Sequence, residues 1–201
     1  TLAQQKTSFK KYENYVFDDQ ARGFSSESQT IFDASVNSEG KAVIKPNIHV
    51  NDAAPGMLRA TFKIRAFEQG GAFSVDQFSL PYSPYQSYVG INVPEGNKFT
   101  GMLHTDTSYA VKVVSLDSDG KPVSKTNLKV EVYKVRWRWW WDSYNGDLAD
   151  YVGSEYKSPV MSQTISTTNG KGQFNLRINR PEWGRYYVCV TDPESGHRTG
   201  Q

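Results

Sequence analysis

The sharpest alternation of apolar and polar positions lies between Thr126 and Asp142, TNLKVEVYKVRWRWWWD. Leu128, Val130 and Val132 fall on one face of an extended strand, since side chains alternate with period two. The apolar phase then moves by one, to Tyr133, Val135, Trp137, Trp139 and Trp141. Lys129, Glu131, Lys134, Arg136 and Arg138 take the polar positions. The spacing predicts one long strand with a bulge near Val132 and Tyr133, because an extra residue exchanges the two faces. Near its end the five residues Trp137–Trp141 hold four of the five tryptophans. That aromatic end either fills a domain interior or forms a contact surface.

The rest of the chain repeats the strand pattern. Thr30–Val36 and Lys41–Lys45 flank Asn37-Ser38-Glu39-Gly40 and predict a hairpin. Met57–Phe67 alternates Leu58, Ala60, Phe62, Ile64 and Ala66 against Arg59, Thr61, Lys63 and Arg65. Ala72–Leu80 is a further strand with a phase change of its own. Pro81 and Pro84 exclude a regular central strand through PYSPY, and Tyr88–Asn92 re-enters one. Short strands follow at Phe99–Leu103 and Tyr109–Leu116, then at Val160–Thr167, Gln173–Asn179 and Arg185–Thr191. The segment after Asp142 (Ser143, Tyr144, Asn145, Gly146, Asp147, Tyr151 and on to Ser158) has no period and is long enough to be a functional or mobile loop. Residues 1–13 read as a linker, a helical stub or a strand remnant. No segment has a convincing helical period. The fold class is all-β, with two antiparallel β-sandwiches divided at residues 1–92 and 93–201.

Composition narrows the chemistry. A net charge of +2 gives no electrostatic case for nucleic acid. No run approaches the roughly 20 apolar residues of a spanning helix. Thr1 and the closing GHRTGQ suggest a piece of a longer protein. Cys189, the single cysteine, cannot form an internal disulfide and reads as a buried inert thiol. His49, His104 and His197 lack zinc-ligand spacing. Asp117-Ser118-Asp119-Gly120 lacks the distal glutamate of a calcium loop and reads as a turn. No nucleophile motif or phosphate loop is present, so the chain reads as non-enzymatic, without metal or cofactor. Trp137, Trp139, Trp140 and Trp141 remain open to two readings. They are a core or interdomain seam together with Asp142, Trp183, Gly184 and Tyr186, or a stacking platform for sugars. The second would make this a carbohydrate-binding or adhesion module.

D-S-D-G-K-P-V, L-K-V-E-V-Y-K-V-R-W-R-W-W-W-D, T-x-x-G-K-G-Q-F and P-E-W-G-R-Y-Y-V-C-V-T-D-P-E-S-G-H together resemble bacterial alpha-2-macroglobulins. F-D-A-S-V-N-S-E-G-K-A and A-F-E-Q-G-G-A-F-S-V-D-Q-F-S-L-P-Y-S-P-Y resemble the preceding domain of the same family. The resemblance implies two consecutive macroglobulin-like domains of fibronectin type III or Ig-like architecture, lying before the bait-region segment. The family's version of that preceding domain usually has strands further upstream, which leaves the first domain here open to being incomplete. Such proteins trap proteases; the implied partners are neighbouring domains of the same polypeptide and, for the full-length protein, proteases as prey. Neither nucleic acid nor direct membrane contact is implied. Periplasm or cell envelope is the implied location, with a role in bacterial defence. Cys189 is followed by Val190-Thr191-Asp192, so the thioester motif C-x-E-Q is absent and Cys189 does not inherit that role.

Overall fold

The computed structural model describes residues 1–26, 28–50, 53–68, 70–135 and 158–201. Ten strands occur among them, all in antiparallel ladders, and no helix. In chain order they are β1 (Leu2–Gln4), β2 (Leu58–Phe67), β3 (Phe73–Tyr82), β4 (Ser87–Asn92), β5 (Ser108–Asp117), β6 (Lys125–Val135), β7 (Met161–Thr167), β8 (Lys171–Arg177), β9 (Arg185–Thr191) and β10 (Arg198–Gly200).

The last seven strands make a sandwich. One sheet runs β4-β5-β8 and the other β10-β9-β6-β7. Val89, Ile91, Val111, Val113, Phe174 and Leu176 face Leu128, Val130, Val132, Val188 and Val190 across a closed apolar core. Each of these is a large or β-branched residue at alternate positions, which suits a half-buried pleated surface. The Tyr88–Asn92 segment is thus β4, hydrogen-bonded to β5 from Ser87↔Asp117 to Asn92↔Lys112.

The N-terminal part contributes the sheet β1-β2-β3. Leu2, Ala54, Leu58 and Ala60 form its buried patch, with Phe24, Ile48 and Val50 packed against it. Residues 1–13 therefore include a strand, three residues long, on the edge of β2. Beyond Phe62 the β2–β3 ribbon leaves this patch. Ile64, Phe78 and Leu80 are exposed although the alternation read from the sequence is kept in the ladder.

Several expectations need correction. β6 pairs with β9 without interruption from Lys129↔Thr191 to Val135↔Arg185, so no bulge sits at Val132–Tyr133. The register shift is instead between Lys125 and Leu128, where Asn127 takes φ 59°. Tyr133 and Val135 are apolar on the outer face because that face is itself covered, by Ala21, Tyr187 and Cys189. β3 likewise keeps a regular register with β2 throughout; Phe73 and Val75 simply face opposite to Phe78 and Leu80. The turn at Asn37–Lys41 forms, with Asn37 N–H donating to the Lys41 carbonyl at 2.9 Å. Its flanks, 30–36 and 41–45, are irregular and expose Val36 and Val43. Phe99–Leu103 is a loop closed by the Asn97 and Gly101 amides, with Phe99 in solvent.

Candidate functional site: the seam between the N-terminal segment and the sandwich

Trp137, Trp139, Trp140, Trp141, Asp142 and Ser143, Tyr144, Asn145, Gly146, Asp147 and Tyr151 lie outside the described residues. Ser158 is exposed at the start of the segment leading into β7. Trp183, Gly184 and Tyr186 can be placed. They form the corner between β8 and β9. The Tyr186 hydroxyl donates to the Glu182 carbonyl four residues upstream, which makes this the tyrosine corner of Ig-like sandwiches. Glu182 also pairs with Lys134 Nζ at 2.6 Å, tying the corner to the end of β6. Trp183 points outward with 78% of its surface exposed. Gly184 stands at φ 153° beside the Lys134 side chain.

A second constellation, absent from the sequence reading, lies under the N-terminal segment. Residues 5–24 run over both parts of the molecule as a strap. At one end Gln5 N–H donates to the Met57 carbonyl (3.2 Å) and Met57 N–H to Thr7 Oγ1 (2.6 Å). Thr7 N–H reaches both oxygens of Asp18 at 3.1 Å. Burial raises the Asp18 carboxyl above its ordinary range, against the lowering effect of the Thr7 hydrogen bonds. At the other end Val16 exchanges two backbone hydrogen bonds with Ile91 of β4, at 2.8 and 2.9 Å. Phe17 is buried against Phe9, Tyr88, Val114 and Leu116.

Asp19 is the centre of this seam. Its side chain is wholly buried and lies 3.1 Å from Arg22 Nε and 3.3 Å from Arg198 Nε. The Tyr187 hydroxyl donates to Asp19 Oδ1, and the Ala21 amide does so at 3.0 Å. Arg198 comes from β10 and Tyr187 from β9, so one carboxylate joins strap and sandwich. Burial, with the Asp19 charge alongside, drives the Tyr187 hydroxyl far above the ordinary phenol range. A buried carboxylate is tolerated only with such pairing. Cys189 borders this cluster; burial pushes its thiol up to about 11, so it stays protonated and unreactive.

The third contact holds the β9–β10 turn. Asp192 is buried and accepts from Ser87 Oγ at 2.9 Å and pairs with Lys125 Nζ at 3.2 Å. Burial opposes its ionisation, yet hydrogen bonds from Ser87, Ser195, the Glu194 amide and Lys125 prevail and hold its carboxyl below the ordinary value. His197 is completely buried against the rings of Tyr85 (5.0 Å) and Tyr88 (4.7 Å), which also touch each other at 5.8 Å. Its Nδ1 accepts the Val89 amide at 3.1 Å, so the ring is neutral with the proton on Nε2. The D-P-E-S-G-H-R run of the sequence thus carries both anchors, though only as a turn signal when read along the chain.

Among the described residues the arrangement is a packed seam of buried ion pairs and rings. Among the described residues, no three His, Cys, Asp or Glu side chains come together as a metal site.

Comparison with known proteins agrees with this architecture. The family profile "Bacterial macroglobulin domain 6" matches residues 90–201. Among solved structures, the chain is similar to the native conformation of Escherichia coli alpha-2-macroglobulin, at 15% identity and TM-score 0.55. It is likewise similar to Salmonella alpha-2-macroglobulin reacted with methylamine, at 15% identity and TM-score 0.57. Both alignments cover 100% of this chain but only 13% and 14% of those proteins. No curated protein sequence matches it. With more than half its length matched by that profile and its whole length following that fold, the chain belongs to the bacterial alpha-2-macroglobulin family.

Proposed function

We propose that the chain is a non-catalytic scaffold within an alpha-2-macroglobulin-like protein that traps proteases at the bacterial cell envelope, a defensive role. Its direct partners are neighbouring domains of the same polypeptide, and proteases are prey of the whole assembly. The observation that carries this reading is the Asp19–Arg22–Arg198–Tyr187 cluster. It spends buried charge on joining two parts of one chain, not on exposing reactive groups. Trp183 belongs to the same reading: a large ring exposed at a rigid corner suits a surface covered by another domain. The Trp137–Trp141 run is assigned, with Asp142, to the same class of interdomain contact.

The test uses the full-length polypeptide carrying this chain. After incubation with chymotrypsin, trapping leaves cleavage of a small chromogenic peptide intact and suppresses cleavage of casein. Undiminished casein cleavage overturns the trapping. For the aromatic run, iodide should quench only a minor part of the tryptophan emission of the full-length protein. Ready quenching of most of it, with binding on a glycan array, would replace scaffold by carbohydrate recognition.

A further inference from the structure

We propose that His197 makes the seam an acid-sensitive latch, whose protonation releases the strap around Val16–Asp19 from β4 and β10. The geometry leaves the imidazolium nowhere to reside. Nδ1 faces the Val89 N–H, a donor, so a second proton would set two donors against each other at 3.1 Å. Nε2 points toward the Phe17 carbonyl without closing a hydrogen bond of normal geometry. The rings of Tyr85 and Tyr88, themselves in contact, pack against the imidazole.

The charged and titratable groups around the ring come from four elements. Arg22 on the strap repels an imidazolium and Asp192 in the β9–β10 turn attracts it. Asp192 is already held by Ser87 and Lys125. Tyr85 and Tyr88 remain neutral, their hydroxyls raised chiefly by burial. Asp18 and Asp19 lie beyond them on the strap, engaged by Thr7 and by Arg22 and Arg198. Burial, reinforced by Arg22, lowers the His197 pKa to about 3 from an ordinary 6.5. The closed seam thus refuses a proton that the opened one accepts below 6.5. Seam stability is full above that value and is lost as pH falls toward 3. One proton taken up on opening changes the opening constant tenfold per pH unit.

The experiment follows amide hydrogen exchange of Val16 and Ile91, which bond to each other, in the 201-residue chain. Between pH 6.5 and 4.5, and after correction for intrinsic exchange, their opening constants should rise about tenfold per unit. Val111 and Phe174, on the β5–β8 ladder, should change less. His197→Asn keeps an acceptor for Val89 but cannot protonate, so its slope should be near zero; this also separates His197 from Asp18. A flat wild-type profile, or an equal slope in the variant, overturns the proposal. If the variant does not fold, the wild-type His197 ring is followed by NMR instead. Protonation near pH 6.5 without loss of Val16 protection would equally overturn it.

Discussion

Tyr186 and Tyr187 are chain neighbours whose hydroxyls serve different ends. Tyr186 donates to a half-open carbonyl at the β8–β9 corner, so Tyr186→Phe should cost about 0.5–1.5 kcal/mol, the net worth of one ordinary hydrogen bond. Tyr187→Phe strips a donor from the buried Asp19 carboxylate and should cost more, about 1–3 kcal/mol. Urea denaturation of both variants checks the order, which is the informative quantity. Asp192 gives a pH-dependent counterpart. Its folded carboxyl lies below the unfolded one, so its stabilisation is present above the unfolded value and lost as pH falls through the folded one. Asp192→Asn should therefore be destabilised by about 1.5–3 kcal/mol at pH 7. The gap to the wild type should close as the pH drops below about 4, as read from midpoints across a pH series. Little of this was legible along the chain. W-G-x-Y marks a corner, but which tyrosine faces it and which faces a carboxylate 168 residues away is set by the pleat and the strap.

At the scale of elements, alternation located most strands of the sandwich within a few residues. It failed where apolar residues did not mean core. On β6, Leu128, Val130 and Val132 face the sandwich core and Tyr133 and Val135 face the Ala21–Tyr187–Cys189 cluster, in one unbroken register. A phase change in the pattern therefore recorded a second covered face, not an inserted residue. The true irregularity, at Asn127, has no apolar signature because it sits at the exposed start of the strand. Its φ of 59° is a left-handed conformation that asparagine and glycine adopt more readily than alanine. Asn127→Gly should be near neutral and Asn127→Ala should cost about 1 kcal/mol, measured by thermal unfolding. Thr30–Val36 and Lys41–Lys45 failed in the opposite sense. Their turn chemistry is sound and the turn forms. With Val43 in solvent no apolar face is buried that would repay ordering two strands.

For the whole molecule the strap is the organising contact. Gly90 lies directly beneath Phe17, and a Cβ there would stand 2.5 Å from its ring. Gly90→Ala should cost about 1–3 kcal/mol through overpacking. The loss should appear as reduced exchange protection at Val16 and Asp19 before that of the β5–β8 ladder. Equal loss everywhere would mean that strap and sandwich open as one unit.

The order of residues by itself determined the all-β class, most strands and turns of the sandwich, an inert cysteine and the family resemblance. These follow from period-two burial, turn chemistry and local motifs, which act over a few residues. Only the tertiary structure decided that residues 5–24 cross the sandwich, that Asp19 meets Arg198 and Tyr187, and that His197 is sealed against a pair of touching tyrosines. Those contacts join positions far apart along the chain, from 50 residues for Thr7 and Met57 to 168 for Asp19 and Tyr187. Their energies depend on shared burial, a property no local pattern carries.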